Sequence, residues 1–319
     1  GHYAQAEKLL QRSRRSTAAP VLQALALAHL AKQRGDTARR EREFAAARAA
    51  VPQAGLAITR LQAQAQLDAG DIAAAALTLK AAAEHGSPRL LELEARLART
   101  RGDWQAVQDL LPRLRRAGVI DAARAAAEET NVACARLAGS EVPDLLWPQF
   151  SRRLRREAAV RLAYALALRR AGQEDAAQDL LAQLLRDDWG AAAIEAFGQY
   201  AGSDAQRQLA QAEGWLAAHS DDSALLLAAG RLAGRARLWA KAQTYFESSL
   251  RLSPTPLGHL ELAQLLDEIG DRSAAADHYR AGLRLALAPA TVSPGTPPLA
   301  LTVSAPAADD RRQLLPREA

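Results

Sequence analysis

The chain has 319 residues, 49% of them hydrophobic and only 4% aromatic, with a formal net charge of +5 at pH 7. That apolar content suffices for a sizeable core, and the single cysteine, Cys134, excludes an internal disulfide and any cysteine-based zinc site. Alanine and leucine dominate while the strand-forming residues are scarce, so the composition points to an all-α protein.

Lys8, Lys32, Lys80 and Lys241 are the only lysines, and the rest of the basic charge is arginine. An anionic partner or surface fits that balance, as does a high-GC coding bias. No uninterrupted apolar run reaches the roughly 18 residues of a membrane-spanning helix, and no signal peptide is visible. Methionine is absent, even from position 1, which carries the expectation that the natural start is missing.

In chain order, the opening stretch GHYAQAEKLL begins with turn residues, after which Tyr3, Ala6, Leu9 and Leu10 recur at helical spacing with no cap before them. Similar turns follow at Gly35-Asp36-Thr37, Gly70-Asp71-Ile72, Gly102-Asp103-Trp104, Gly172-Gln173-Glu174 and Gly270-Asp271-Arg272. Counted from Gly1, their intervals are 34, 35, 32, 70 and 98 residues, which are one, one, one, two and three units of about 34. Such a period with two helices per unit is the tetratricopeptide (TPR) pattern, an α-solenoid of antiparallel helix pairs forming a right-handed superhelix.

Small and aromatic residues recur in the same frame. Gly230, Ala242 and Phe246 are followed 33 residues later by Ala263, Ala275 and Tyr279. Ala28 and Phe44 belong to an earlier unit, Ala63 and Ala75 to the next, and Ala165 and Ala177 to a later one. Ala or Gly is required where the two helices of a unit approach closely, a large aromatic fills the gap toward the neighbouring unit, and proline, as at Pro52 and Pro254, ends the unit. Two stretches keep the period only loosely, about residues 121–156, where Val142-Pro143 and Trp147-Pro148 replace the turn glycine, and about 189–220. At the corner before Trp239 the turn glycine is missing, so packing of Trp239 is expected to hold it.

In this frame residues 3–15 are the second helix of a unit whose first helix is missing, so Tyr3, Ala6 and Leu10 are expected to be under-packed. The repeat domain extends over residues 1–287, its first repeat truncated. From Ala288 the composition changes: Pro289, Pro294, Pro297, Pro298, Pro306 and Pro316 predict a disordered tail over 288–319.

Several segments carry a specific likeness. The run Gly102-Asp103-Trp104 through Leu110-Leu111-Pro112 to Ala117-Gly118-Val119-Ile120, the segment from Arg207 to Leu216 with His219 after it, and Leu238 to Ala242 followed by Phe246 to Leu250 resemble the proteobacterial HemY family of haem-biosynthesis-associated TPR membrane proteins. The likeness covers most of residues 1–287. It implies two transmembrane helices upstream, the second leading into the first repeat, and a repeat domain on the cytoplasmic side of the bacterial inner membrane. Arg12, Arg14 and Arg15 would then lie in the juxtamembrane window where positive charge marks the cytoplasmic side. It also implies a scaffold or adaptor for protein partners in late protohaem biosynthesis; haem or porphyrin carriage in the same pathway, and an envelope-assembly role unrelated to haem, are the alternatives.

No catalytic or metal motif is present. The six histidines, at 2, 29, 85, 219, 259 and 278, form no HExxH pair, no nucleophile elbow surrounds a serine, and no GxGxxG follows a strand. The expectation is therefore a protein that is not an enzyme and needs no metal or cofactor. What such an array offers is a concave groove lined by the first helix of each unit. The inward positions are His29 and Lys32; Arg60 and Gln64; Glu92, Arg96 and Arg99; Arg169 and Arg170; Arg231 and Arg235; and Gln264, Asp267 and Glu268. The basic members form a candidate partner-binding track for acidic peptide segments, since guanidinium forks grip carboxylates with two hydrogen bonds; solvated helix faces explain them too. His259 and His278, on the two helices of the last complete unit, are candidate haem ligands. Stacking aromatics interleaved with the basic residues are missing, so nucleic acid is not expected as a partner.

Overall fold

The computed structural model describes residues 20–82, 87–200 and 202–288. The expectations for Tyr3, Ala6, Leu10, Arg12, Arg14 and Arg15, and for the segment 289–319, lie outside the described residues. Every long element is a helix, and no strand occurs among the described residues. The chain divides into two compact units between Pro254 and Thr255.

The first unit opens with the pairs α1 (Pro20–Gln33) and α2 (Thr37–Ala50), α3 (Gly55–Asp68) and α4 (Ile72–Ala82), and α5 (Pro88–Arg101) and α6 (Trp104–Arg116). Next come α7 (Ala122–Ala138), α8 (Ala158–Arg170) with α9 (Glu174–Asp187), α10 (Ala191–Gln199), α11 (Ala205–Leu216), and the pair α12 (Ser223–Arg235) and α13 (Trp239–Leu252). The second unit contains α14 (Pro256–Ile269) packed on α15 (Arg272–Leu287). Consecutive helices joined by tight corners therefore pack as antiparallel pairs, an all-α helical-repeat architecture.

The corners explain themselves chemically. Gly35, Gly70, Gly102, Gly172 and Gly270 all take the left-handed conformation, with φ between 70° and 96°, which ends one helix without steric cost. The amide of the next residue donates back five positions, as in Asp36 to the Ala31 carbonyl and Asp103 to the Ala98 carbonyl, satisfying an otherwise orphaned acceptor. That same residue then starts the following helix: Asp36, Asp71, Asp103 and Asp271 accept from the backbone amides of Arg39, Ala74, Ala106 and Ala274. Two adjacent residues thus close one helix and open the next.

The corner between α12 and α13 departs from the sequence expectation. Arg237 occupies the glycine position with φ 58°, Leu238 stands where aspartate caps elsewhere and makes no side-chain cap, and Trp239 is 36% exposed. Backbone hydrogen bonds, Leu238 to the Ala233 carbonyl among them, close this turn as they close the glycine corners.

Close approaches account for the recurring small residues. Ala28, Ala63, Ala75, Ala165, Ala177, Ala242, Ala263 and Ala275 are all buried, and a β-carbon on Gly230 would lie 2.5 Å from the Phe246 ring. Phe44 joins Ala24, Ala28, Ala47 and Ile58 in one core cluster, linking the first pair to the second. Tyr279 differs: it is 38% exposed and donates its hydroxyl to Asp267 at 2.9 Å, because α15 is the last described helix and nothing described lies beyond it to be filled.

Two places break the pairing rule. After α7 the chain forms one helical turn, Pro143–Leu146, and the 3-10 turns Trp147–Gln149 and Leu154–Arg156. Phe150 and Leu154 from this stretch fill a core with Ala133, Leu137, Val160 and Ala167, while Trp147 stacks on Tyr164 at 4.1 Å. Farther on, α10 and α11 both pack on α12. A β-carbon on Gly198 would come within 2.5 Å of the Ala228 Cα, so α10 and α12 touch backbone to backbone.

Candidate functional site

The first helices α1, α3 and α5 carry His29, Lys32, Arg60, Gln64, Arg96 and Arg99. Three of these meet around a residue the sequence reasoning missed. Asp68, at the end of α3, accepts from Lys32 Nζ at 2.9 Å and from Gln64 Nε2 at 2.9 Å, and pairs with Arg96 Nη1 at 2.7 Å. His29 and Lys32 line a cleft of about 270 Å³ with Leu25, Phe44, Gln64 and Asp68. Burial pushes the Asp68 carboxyl up, but the bonds from Lys32, Arg96 and Gln64 outweigh it and hold the group below its ordinary 3.8. The result is a ladder of two cations and an amide on one carboxylate, with an apolar wall of Leu25 and Phe44 beside it.

The remaining members of the predicted track are not gathered there. Arg60 is partly buried on α3, and Arg99 reaches Glu128 of α7 at 3.4 Å. Arg169 places its guanidinium carbon 3.4 Å from the centre of the Tyr200 ring, a cation–π contact. Arg170, the last residue of α8, donates to the Leu137 carbonyl at 3.0 Å and to that of Ala138. Arg235, the last residue of α12, donates to the Gly198 carbonyl at 2.9 Å and to that of Gln199. Both reach back to the final carbonyls of an earlier helix, α7 or α10, where a cation also complements the helix dipole. Arg231 is partly buried on α12, and His259 and His278 face each other in the second unit with their Nδ1 atoms 2.9 Å apart.

A larger cleft of about 600 Å³ lies elsewhere, between α6, α7 and the irregular stretch after α7, with Pro112, Glu129, Gln149 and Phe150 in its lining. Arg136 orders one wall by donating to Gln108 at 2.6 Å and Gln149 at 3.0 Å while lying 5.6 Å from the Phe150 ring centre. Its sequence signal was the pair Val142-Pro143 and Trp147-Pro148, which interrupts the helix that would otherwise fill this space. Among the described residues no group of three or more His, Cys, Asp or Glu has metal-binding geometry, and no helix is long and apolar enough to cross a membrane.

Fold and site together define a helical-repeat protein whose first helices display a charged, carboxylate-centred ladder. The chain is similar to Protein HemY of Escherichia coli K12, 26% identical over 306 residues, covering 90% of this chain and 74% of that protein, and equally to Protein HemY of Shigella flexneri. No family model matches it. Among solved structures, MamA 41-end from Desulfovibrio magneticus RS-1 is 14% identical, with a TM-score of 0.32 over 63% of this chain and 95% of that one. The human IFIT1 dimer with m7Gppp-AAAA is 15% identical, with a TM-score of 0.39 over 88% and 72%.

Proposed function

We propose that this chain is a non-enzymatic scaffold that grips an acidic segment of a protein partner along α1, α3 and α5. The carrying observation is the ladder itself, in which Lys32, Gln64 and Arg96 from three successive first helices converge on one carboxylate, that of Asp68. Asp68 occupies the position a partner carboxylate would take. An incoming glutamate or C-terminal carboxylate displaces it at little net cost, because one charge-assisted contact is exchanged for another, while the neighbouring 270 Å³ cleft receives an apolar side chain of the same segment. Similarity to Protein HemY over most of the chain supports tethering to a bacterial inner membrane, a cytoplasmic-facing repeat domain and clients among late protohaem-biosynthesis enzymes.

Affinity purification of the membrane-bound protein carrying Arg96→Glu and Lys32→Glu, against wild type, tests the reading. Loss of co-purifying haem-pathway enzymes from the double variant is the expected result. Retention of the same proteins removes the ladder as the binding face, envelope-assembly proteins in their place change the client set, and bound RNA replaces the protein-partner reading. Reporter fusions on either side of the membrane test the orientation, and a periplasmic repeat domain overturns it.

A further inference from the structure

The geometry points to a chelating site for a borderline divalent transition cation, of the zinc, cobalt or nickel type, formed by His259 of α14 and His278 of α15. Their Nδ1 atoms lie 2.9 Å apart, and the ring planes are tilted by 34° with centroids 5.2 Å apart. Two imidazole ligands at about 2.0–2.1 Å from one metal, spread at angles from octahedral to tetrahedral, place their nitrogens about 2.9–3.4 Å apart. The pair thus already has the separation of neighbouring ligands on one ion. In the metal-free state one ring donates an Nδ1 proton to the other. Shifting that proton to the outward Nε2 turns both Nδ1 lone pairs toward the same point, and no net proton is released from the neutral pair.

Two further observations support the site. Both rings are partly buried, so the ligands are held in place yet within reach of solvent. The approach of the two helices is set one turn away by Gly282, where an added β-carbon would sit 3.2 Å from both the His259 Cβ and the Pro256 carbonyl oxygen. With no third carboxylate, thiol or imidazole in a metal-binding group among the described residues, the remaining coordination positions belong to water or to an incoming ligand. The arrangement is unlike axial ligation of haem, which sets two imidazoles on opposite faces of the macrocycle; here they touch, with no slot between them.

Equilibrium dialysis of the untagged full chain against ZnCl₂ at pH 7.5 tests the assignment. One equivalent of Zn²⁺ is expected, with affinity reduced about tenfold or more in His259→Gln and in His278→Gln, reduced to a lesser degree in Gly282→Ala, and unchanged in His29→Gln and Cys134→Ser. Nitrogen NMR of the wild-type imidazoles, which needs no variant to fold, is expected to show Zn²⁺ moving the Nδ1 signals of His259 and His278. Uptake that survives both histidine substitutions, or Nδ1 signals of that pair that do not move on saturation, overturns the site.

Discussion

Arg237 sits with φ 58° at a corner position that Gly35, Gly70, Gly102, Gly172 and Gly270 fill in the other pairs. A side chain in the left-handed region costs about 1–2 kcal/mol that glycine avoids, partly offset by the greater freedom glycine has in the unfolded chain. Replacing Arg237 by Gly is therefore expected to raise stability by about 1 kcal/mol, read as an increase of roughly 2 °C in a thermal melt of a chain this size. The neighbouring Leu238→Asp adds the cap that Asp36, Asp103 and Asp271 supply elsewhere, worth about another 1 kcal/mol, and little is lost because Leu238 is 38% exposed. A melt that falls in the glycine variant would mean that the Arg237 side chain stabilises the corner by contacts of its own. At this scale the sequence was readable wherever the corner is local: the glycine and the capping aspartate are adjacent, and each performs its role within a few residues. The missing glycine is visible too, but not that Arg237 takes the left-handed conformation in its place, because the backbone bonds that close the turn leave no sequence mark.

Helices add a constraint that single residues do not reveal, namely where one helix ends against another. Arg170 and Arg235 are read from the sequence as members of a binding track because the repeat frame puts them at inward positions of first helices. Their partners, the Leu137 and Gly198 carbonyls, lie 33 and 37 residues earlier, so no local pattern announces them. Hydrogen bonds from a charged donor to such carbonyls contribute about 1.5–3 kcal/mol when buried and less near solvent. Arg170→Met and Arg235→Met are expected to cost about 1–2 kcal/mol each in urea unfolding while leaving partner capture intact. Arg96→Glu is expected to do the opposite, because surface pairs such as Arg96–Asp68 contribute little to stability. If Arg235→Met abolished capture without altering the unfolding midpoint, the helix-end role would be wrong. Gly198→Ala offers a sharper case: the α10–α12 backbone contact leaves no room for a methyl group, so overpacking should cost at least about 1–3 kcal/mol. Small residues at helical spacing were legible as close approaches in the well-spaced units, but not here, because α10 packs on α12 and not on the helix that follows it.

For the molecule as a whole, the formal charge of +5 overstates how much positive surface is free to act. Much of the arginine is spent on internal carboxylates, carbonyls and a tyrosine ring, and in the α1, α3 and α5 ladder Asp68 neutralises part of the positive charge of Lys32 and Arg96. The sequence showed the cations because they fall at inward positions of successive first helices; it hid the carboxylate because Asp68 meets Lys32 and Arg96 only once three repeats stack. Asp68→Asn should release both cations, tightening the capture of a short glutamate-rich peptide several-fold and steepening its loss between low and physiological salt, where exposed charges are screened beyond about 8 Å. Fluorescence anisotropy of the labelled peptide at two salt concentrations reads both effects. The stability cost of the substitution should stay below about 1 kcal/mol at neutral pH. Its pH dependence follows from the lowered carboxyl: the wild-type advantage is present above the ordinary value of 3.8 and is lost as pH falls through the lower folded value, so the two melting curves converge only in strong acid. Weaker peptide capture by Asp68→Asn would show that Asp68 orients Lys32 and Arg96 for the partner and does not compete with it, which would recast the ladder as a preorganised clamp.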